Sequence, residues 1–222
     1  YNDFGMFIIH SRNEEHLMNI NEEEDIIKSR TVCFSGHRPE KLPLKGDGGA
    51  MVIRYLKSIL YKEILDSISA GYNRFITGLA RGVDLWAGEI LMELKADGEK
   101  ISIIAVKPYK AHGDNFYGEE KFSLGRLLSN ADEVICLADE YRKGCFQRRN
   151  EYMVDRSGKL IAVVSDYRSG TGATIRYAEK QGIEVRTIDA RTFGDQIAEI
   201  EENTTDASII WDSGDEDDQL AF

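Results

Sequence analysis

Arg74-Phe75-Ile76-Thr77-Gly78-Leu79-Ala80-Arg81-Gly82-Val83-Asp84 passes within eleven residues from a strand-forming run, through a turn flanked by two glycines, into the start of a helix. A strand that hands over so directly to a helix is half of a βαβ unit. The passage recurs along the chain. Thr31–Ser35, Arg74–Thr77, Ile101–Val106, Glu133–Leu137, Leu160–Ser165 and Glu184–Ile188 read as short strands, apolar enough to be buried on both faces. Amphipathic segments at about 50–70, 82–96, 118–130, 146–156 and 173–181 separate them. Gly71, Gly98 and Gly182 stand just past three of these segments, where a left-handed residue ends a helix. The alternation predicts the α/β class: a Rossmann-like three-layer fold with a mostly parallel sheet.

That alternation sits between two acidic ends. The 222 residues carry a net charge of -11, with 42% hydrophobic and 30% charged residues. Residues 1–30 hold seven acids and three bases, and residues 195–222 hold ten acids with no Lys or Arg. The remaining 31–194 hold 22 acids and 25 bases, a net of +3. We therefore divide the chain into an acidic N-terminal extension at 1–30, a single Rossmann-like domain at 31–194, and an acidic, disordered tail at 195–222. Within the tail, Ile209, Ile210 and Trp211 interrupt the acids and suit a peptide that docks on a protein partner. Residues 11–28 suit a short surface helix.

A strongly acidic total argues against polyanion partners, but a mildly basic core leaves room for a small phosphorylated ligand. No run of about 18 apolar residues exists, which excludes a transmembrane helix, and no membrane partner is expected. The first ten residues lack the pattern of a secretory signal. Cys33, Cys136 and Cys145 stand far apart, with no spacing that suits zinc, so no metal site is expected. The chain reads as reduced and cytoplasmic.

In a doubly wound sheet, ligands bind beyond the carboxyl ends of the strands. After the first strand come Ser35, Gly36, His37 and Arg38, with a glycine for close backbone approach and donors for phosphate or a purine edge. After the second come Thr77, Gly78, Arg81 and Asp84, the last placed either to cap its helix or to bond a ribose hydroxyl. After the fifth come Ser169, Gly170, Thr171 and Thr174, whose hydroxyls and glycines suit a phosphate cradle. Each turn alone also reads as an ordinary surface connection; three on one sheet describe one mouth for a nucleotide-like anion. Lys107 opens a long loop, Tyr109 to Gly118, placed to cover that mouth, and Arg149 and Asn150 face either ligand or solvent. Met153 and Val154 read as core, Cys33 and Cys136 as buried strand residues, Cys145 as exposed, and His10, His16 and His112 as surface residues. No Ser-His-Asp order, HExxH or Walker A loop appears, and nothing announces a nucleophile.

The motifs Ser35-Gly36-His37-Arg38-Pro39, Thr77 to Asp84, Arg149-Asn150 with Met153-Val154-Asp155, and Ser169-Gly170-Thr171 with Thr174 to Ala178 resemble, in order, the YpsA-like branch of the SLOG superfamily. The resemblance spans about residues 31–190. It implies a Rossmann-like domain that senses or processes nucleotides and nucleotide-derived ligands, with Ser35, Gly36, Arg38, Gly78, Arg81, Asp84, Ser169, Gly170, Thr171 and Thr174 as binding positions. It supplies no reaction. Two related families give alternatives. The LOG phosphoribohydrolases carry Pro-Gly-Gly-x-Gly-Thr-x-x-Glu; this chain has Arg168-Ser169 for Pro-Gly and Arg176-Tyr177 where the Glu is wanted, with Glu179 further along. The DNA-processing protein A family, which binds single-stranded DNA, shares a similar turn at Gly78–Asp84 and similar residues Arg168-Ser169-Gly170 with Thr174. Single-strand binding needs a basic groove with interleaved aromatics, which a core of +3 beside a tail of -10 supports poorly.

The reading drawn from all this is a cytoplasmic, ligand-sensing nucleotide-binding protein. Its ligand is ADP-ribose-like or a nucleoside phosphate, with no cofactor firmly implied, nucleic acid disfavoured, and homo-oligomerisation left open. The phosphate would be held by helix N-termini and by Arg38 and Arg81, and a ribose by Asp84. If the chain is an enzyme at all, it is a nucleotide N-glycosidic hydrolase.

Overall fold

Six strands and the helices between them follow one another in the computed structural model, which describes residues 22–42 and 49–193. His10, His16, most of the acidic N-terminal extension and the whole of 195–222, including Ile209, Ile210 and Trp211, lie outside the described residues. A helical stretch at 22–29 (α1) precedes β1 (Thr31–Gly36). Then come α2 (Gly49–Ser69), β2 (Arg74–Thr77), α3 (Val83–Ala96), β3 (Ser102–Lys107), α4 (Gly118–Asn130) and β4 (Glu133–Cys136). The chain closes with α5 (Cys145–Asp155), β5 (Lys159–Val164), α6 (Gly170–Lys180) and β6 (Glu184–Asp189).

The strands form one sheet in the order β4-β3-β2-β1-β5-β6, and every pairing is parallel. From β1 to β4 the chain steps one way across the sheet; from β4 it returns to the far side of β1 and steps the other way. Right-handed crossovers then oblige the helices of the two halves to lie on opposite faces. The core divides accordingly. Val32 and Phe34 of β1 pack with Leu56 and Leu60 of α2, Leu91 of α3 and Leu127 of α4. Cys33, between them in sequence, packs on the other face with Met153 and Val154 of α5 and Ile175 and Ala178 of α6. Period-two alternation along a strand covered on both sides produces this split.

Each helix follows its own pattern. Val52, Leu56, Leu60 and Ile64 of α2 recur every four residues and are buried. Gly71, Gly98 and Gly182 have φ of 95°, 106° and 71°, the left-handed helix ends the sequence predicts. Two expectations need correction. The last helix begins at Gly170 rather than about 173, because Ser169 caps it: its Oγ accepts from the Gly172 N–H at 3.2 Å. Cys136 is exposed, because β4 is an edge strand with a neighbour on one side only, and Val134 beside it is also exposed. Cys145, by contrast, is buried where α5 enters the core.

The strand order reverses between β1 and β5, and the crevice outside the carboxyl ends of these strands is where such a sheet binds ligands. Among the described residues, no helix is long and apolar enough to cross a membrane.

Candidate functional site

The Thr77–Asp84 turn is fixed from within. Thr77 Oγ1 donates to the Asp84 carbonyl at 2.9 Å, and the Gly78 N–H donates to the Asp84 carboxylate at 3.1 Å. Gly82 precedes α3 at φ 83°, and a Cβ there would stand 2.8 Å from the His37 carbonyl oxygen. Only glycine lets the β1 and β2 turns come this close.

From α5, Arg149 enters beneath this turn. It is 4% exposed; its Nη1 donates to the Gly78 carbonyl and its Nε to Asn150 Oδ1 at 2.8 Å. Asn150 Nδ2 in turn donates to Thr174 Oγ1 at 2.8 Å, and Thr174 Oγ1 donates to the Gly170 carbonyl at 3.0 Å. One polar chain therefore ties the β2 turn to the N-terminus of α6. Burial pushes the Asp84 carboxyl up, opposed by the Arg149 charge and the Gly78 N–H. Burial likewise pushes Arg149 down, opposed by Asp84. Each ion lowers the penalty of burying the other.

Above this floor opens a cavity of about 370 Å³ at the switch point, within the roughly 300–1,000 Å³ range of small-molecule sites. Ser35, Gly36, His37, Arg38, Arg81, Asp84, Arg149, Asn150, Ser169, Gly170 and Thr171 line it, so the three predicted turns do meet in one mouth. Thr77, Gly78, Lys107 and Thr174 are not among the lining residues. The first, second and fourth serve the bonds just described, and Lys107 turns away to the Lys110 carbonyl. The lining also includes Lys41, Ala80, Tyr109, His112, Asn115, Phe116 and Phe146.

The cations differ in availability. Arg81 is held by Glu120, its Nε 2.5 Å from the carboxylate, with Glu40 a second partner at 3.6 Å. Arg38 and Lys41 have no carboxylate partner among the described residues. The expectation that Arg38 and Arg81 share the neutralising role is thus better met by Arg38 and Lys41. Lys41 is anchored through its carbonyl, which accepts from Ser165 Oγ at 3.1 Å, so the β1 and β5 turns hold it between them. His37 Nε2 accepts from the Asp166 N–H at 3.2 Å, which fixes a neutral ring; burial and Lys41 lower its pKa, against Asp166. Ser169 spends its hydroxyl on the cap, but the N–H groups of Gly170 and Thr171, in the first turn of α6, have no helical partner and belong to residues that line the cavity.

His112 is not a surface residue. It is 5% exposed, its Nε2 lies 3.0 Å from the Leu79 carbonyl, and Tyr109, Phe116 and Phe146 meet its ring edge-on at 5.6–5.9 Å between centroids. Burial, with Arg149, Lys107 and Arg38 nearby, lowers its pKa to about 4 despite the Leu79 bond. The Tyr109–Gly118 loop does contribute to the mouth, as one aromatic wall. Asp84 is the one carboxylate lining the cavity among the described residues, and Glu179 is exposed on α6.

A sequence profile of the YspA SLOG family matches residues 32–193. The SPbeta prophage-derived protein YoqJ of Bacillus subtilis is 33% identical over 119 residues, 48% of this chain and 70% of that protein. A UPF0398 protein of Levilactobacillus brevis is 24% identical over 188 residues, 80% of this chain and 97% of that one. Among solved structures, DNA processing protein A from Helicobacter pylori, described for its single-stranded DNA binding mode, aligns with a TM-score of 0.51 at 16% identity. The alignment covers 77% of this chain and 73% of that one. At that identity the likeness is one of fold.

Proposed function

This chain belongs to the YspA SLOG family, and from that membership and the cavity we propose that it binds a nucleotide or nucleotide-derived small molecule. The carrying observation is that one cavity gathers two chemistries. The β1 and β5 turns supply Arg38, Lys41 and the open N–H groups of α6, which suit a phosphate. The connection after β3 and the start of α5 supply Tyr109, Phe116 and Phe146, which suit the face of a base. These two sets come from opposite sides of the β2 turn in the sheet order. The role is recognition: a sensor in which Asp84 and Arg149 hold the turns that hold the ligand.

Single-stranded DNA binding, the property named for the fold neighbour, is the second reading. A strand-tracking groove needs a run of free cations. Here Arg38 and Lys41 are the lining cations without a carboxylate partner among the described residues, Arg81 is committed to Glu120, and 195–222 adds ten acids. The hydrolase alternative has Asp84 alone as a lining carboxylate among the described residues, already engaged with Gly78.

The test is mass spectrometry of small molecules released on denaturing the purified protein, followed by melting with the released compound. At ~100 times its dissociation constant, a ligand of the folded state adds about 2.7 kcal/mol. No released nucleotide, and no shift with nucleoside monophosphates, ADP-ribose or NAD at millimolar concentration, overturns the reading.

A further inference from the structure

Leu79 is the only non-glycine residue with positive φ among the described residues, at 61°. A buried, γ-branched side chain in the left-handed region is strained, and such strain persists where surrounding structure imposes it. Here it sits in the β2 turn, and the Leu79 carbonyl meets His112 Nε2 at 3.0 Å.

A carbonyl oxygen only accepts, so Nε2 carries the proton and Nδ1 of the neutral ring is an acceptor. Nδ1 has no partner among the described residues, and no buried side-chain nitrogen or oxygen among them is left unsatisfied. Nδ1 is therefore not sealed in protein; it opens on the cavity His112 lines. Around it stand Tyr109, Phe116 and Phe146, of which Tyr109 alone carries a polar group, its hydroxyl. The result is a recessed ring acceptor among aromatic side chains, at one end of a cavity whose other end suits phosphate.

We propose that His112 Nδ1 reads the base of the bound nucleotide, selecting nucleobases that carry an exocyclic amino group over their keto counterparts. This rests on the nucleotide reading of the cavity. A recessed acceptor is reached by a group that projects beyond the ring, as an amino group does. A keto oxygen in the same place sets lone pair against lone pair and leaves Nδ1 unpaired, and a site built around one hydrogen bond rejects the analogue lacking it. Arg149, Asp84 and the Leu79 carbonyl act behind His112 as positioning groups.

The experiment is calorimetric titration of the full chain at pH 7 with AMP against IMP and CMP against UMP. Each pair differs by amino for keto, with the accompanying ring proton. AMP and CMP bind about tenfold or more tightly than their partners. His112→Phe, which fits the aromatic shell, erases the difference; His112→Gln, which can donate to Leu79 and present an oxygen to the cavity, retains it. Equal affinity within each pair overturns the base-reading role while leaving nucleotide binding standing. Preserved discrimination in His112→Phe also overturns it, and if that variant does not fold the wild-type pairs decide. Absence of binding by all four nucleotides overturns the nucleotide reading and this inference together.

Discussion

Arg149 crosses from α5 to donate to the carbonyl of Gly78, directly beside the N–H that Gly78 gives to Asp84. A Cβ on Gly78 would collide with the guanidinium, so the glycine is there to admit the arginine. Removing the cation leaves Asp84 buried with backbone donors alone. Arg149→Met is expected to destabilise by roughly 3–5 kcal/mol in urea unfolding. Adding Asp84→Asn to it recovers part of that loss. Additivity of the two changes would show that the groups do not sustain one another.

Gly82 and Gly71 make a graded pair. Both have positive φ, 83° and 95°. A Cβ on Gly71 meets nothing within 4 Å, whereas one on Gly82 meets the His37 carbonyl at 2.8 Å. Gly71→Ala should cost about 1 kcal/mol and Gly82→Ala clearly more, about 2–3 kcal/mol, measured side by side. Similar losses would mean that the β1 and β2 turns are not packed against each other.

Arg81 and Glu120 give a prediction in the gaining direction. Because Glu120 holds Arg81 at 2.5 Å, Arg81→Ala should weaken phosphate binding less than Arg38→Ala. Glu120→Gln should release the guanidinium toward the cavity and tighten nucleotide binding about threefold, read by titration at low salt. Weaker binding in Glu120→Gln would show that the pair, not the free cation, shapes the site.

Stability should fall with acid through His112. An unfolded histidine titrates near 6.5, whereas in the fold burial lowers this one to about 4. Its neutral form is thus favoured by folding: the stabilisation is complete above pH 6.5 and is lost as pH falls toward 4. Between pH 7.5 and 5 the loss is about 2 kcal/mol. The raised Asp84 carboxyl works in the opposite direction toward the carboxylate range, so the comparison is with His112→Gln, whose profile over the same window should be flatter by that amount. Parallel profiles would place His112 in water.

What the sequence revealed and what it concealed follow from the range of the forces. Strands such as Lys159–Val164, buried at every position, and helix ends such as Gly71 and Gly182 are written locally, in apolar runs and in a backbone only glycine adopts easily. The meeting of the β1, β2 and β5 turns follows from topology once the alternation is read. His112 was hidden because its immediate neighbours Ala111, Gly113 and Asp114 are small or polar; Tyr109 and Phe116 are near in sequence, but the loop that folds them onto the ring closes only against Phe146 and Leu79, the latter 33 residues back. Lys41 was hidden because its value lies in having no carboxylate partner among the described residues, which spacing cannot show. Cys136 and Cys145 exchanged their expected places because an edge strand and a helix entry carry no mark in a window of a few residues.

In the nucleotide reading, Arg38 and Lys41, with the N-terminus of α6, hold the phosphate of a small nucleotide. The most direct test of this is calorimetric titration of the full chain with AMP and CMP and, in parallel, with single-stranded oligothymidine, in the wild type and in the Arg38→Ala/Lys41→Ala double variant. The mononucleotides are expected to bind at one site, the double variant to lose at least about tenfold in affinity with its melting temperature unchanged, and the oligonucleotide to bind weakly at physiological salt. Mononucleotides that fail to bind at millimolar concentration, beside an oligonucleotide that binds below micromolar with steep salt dependence, would contradict it.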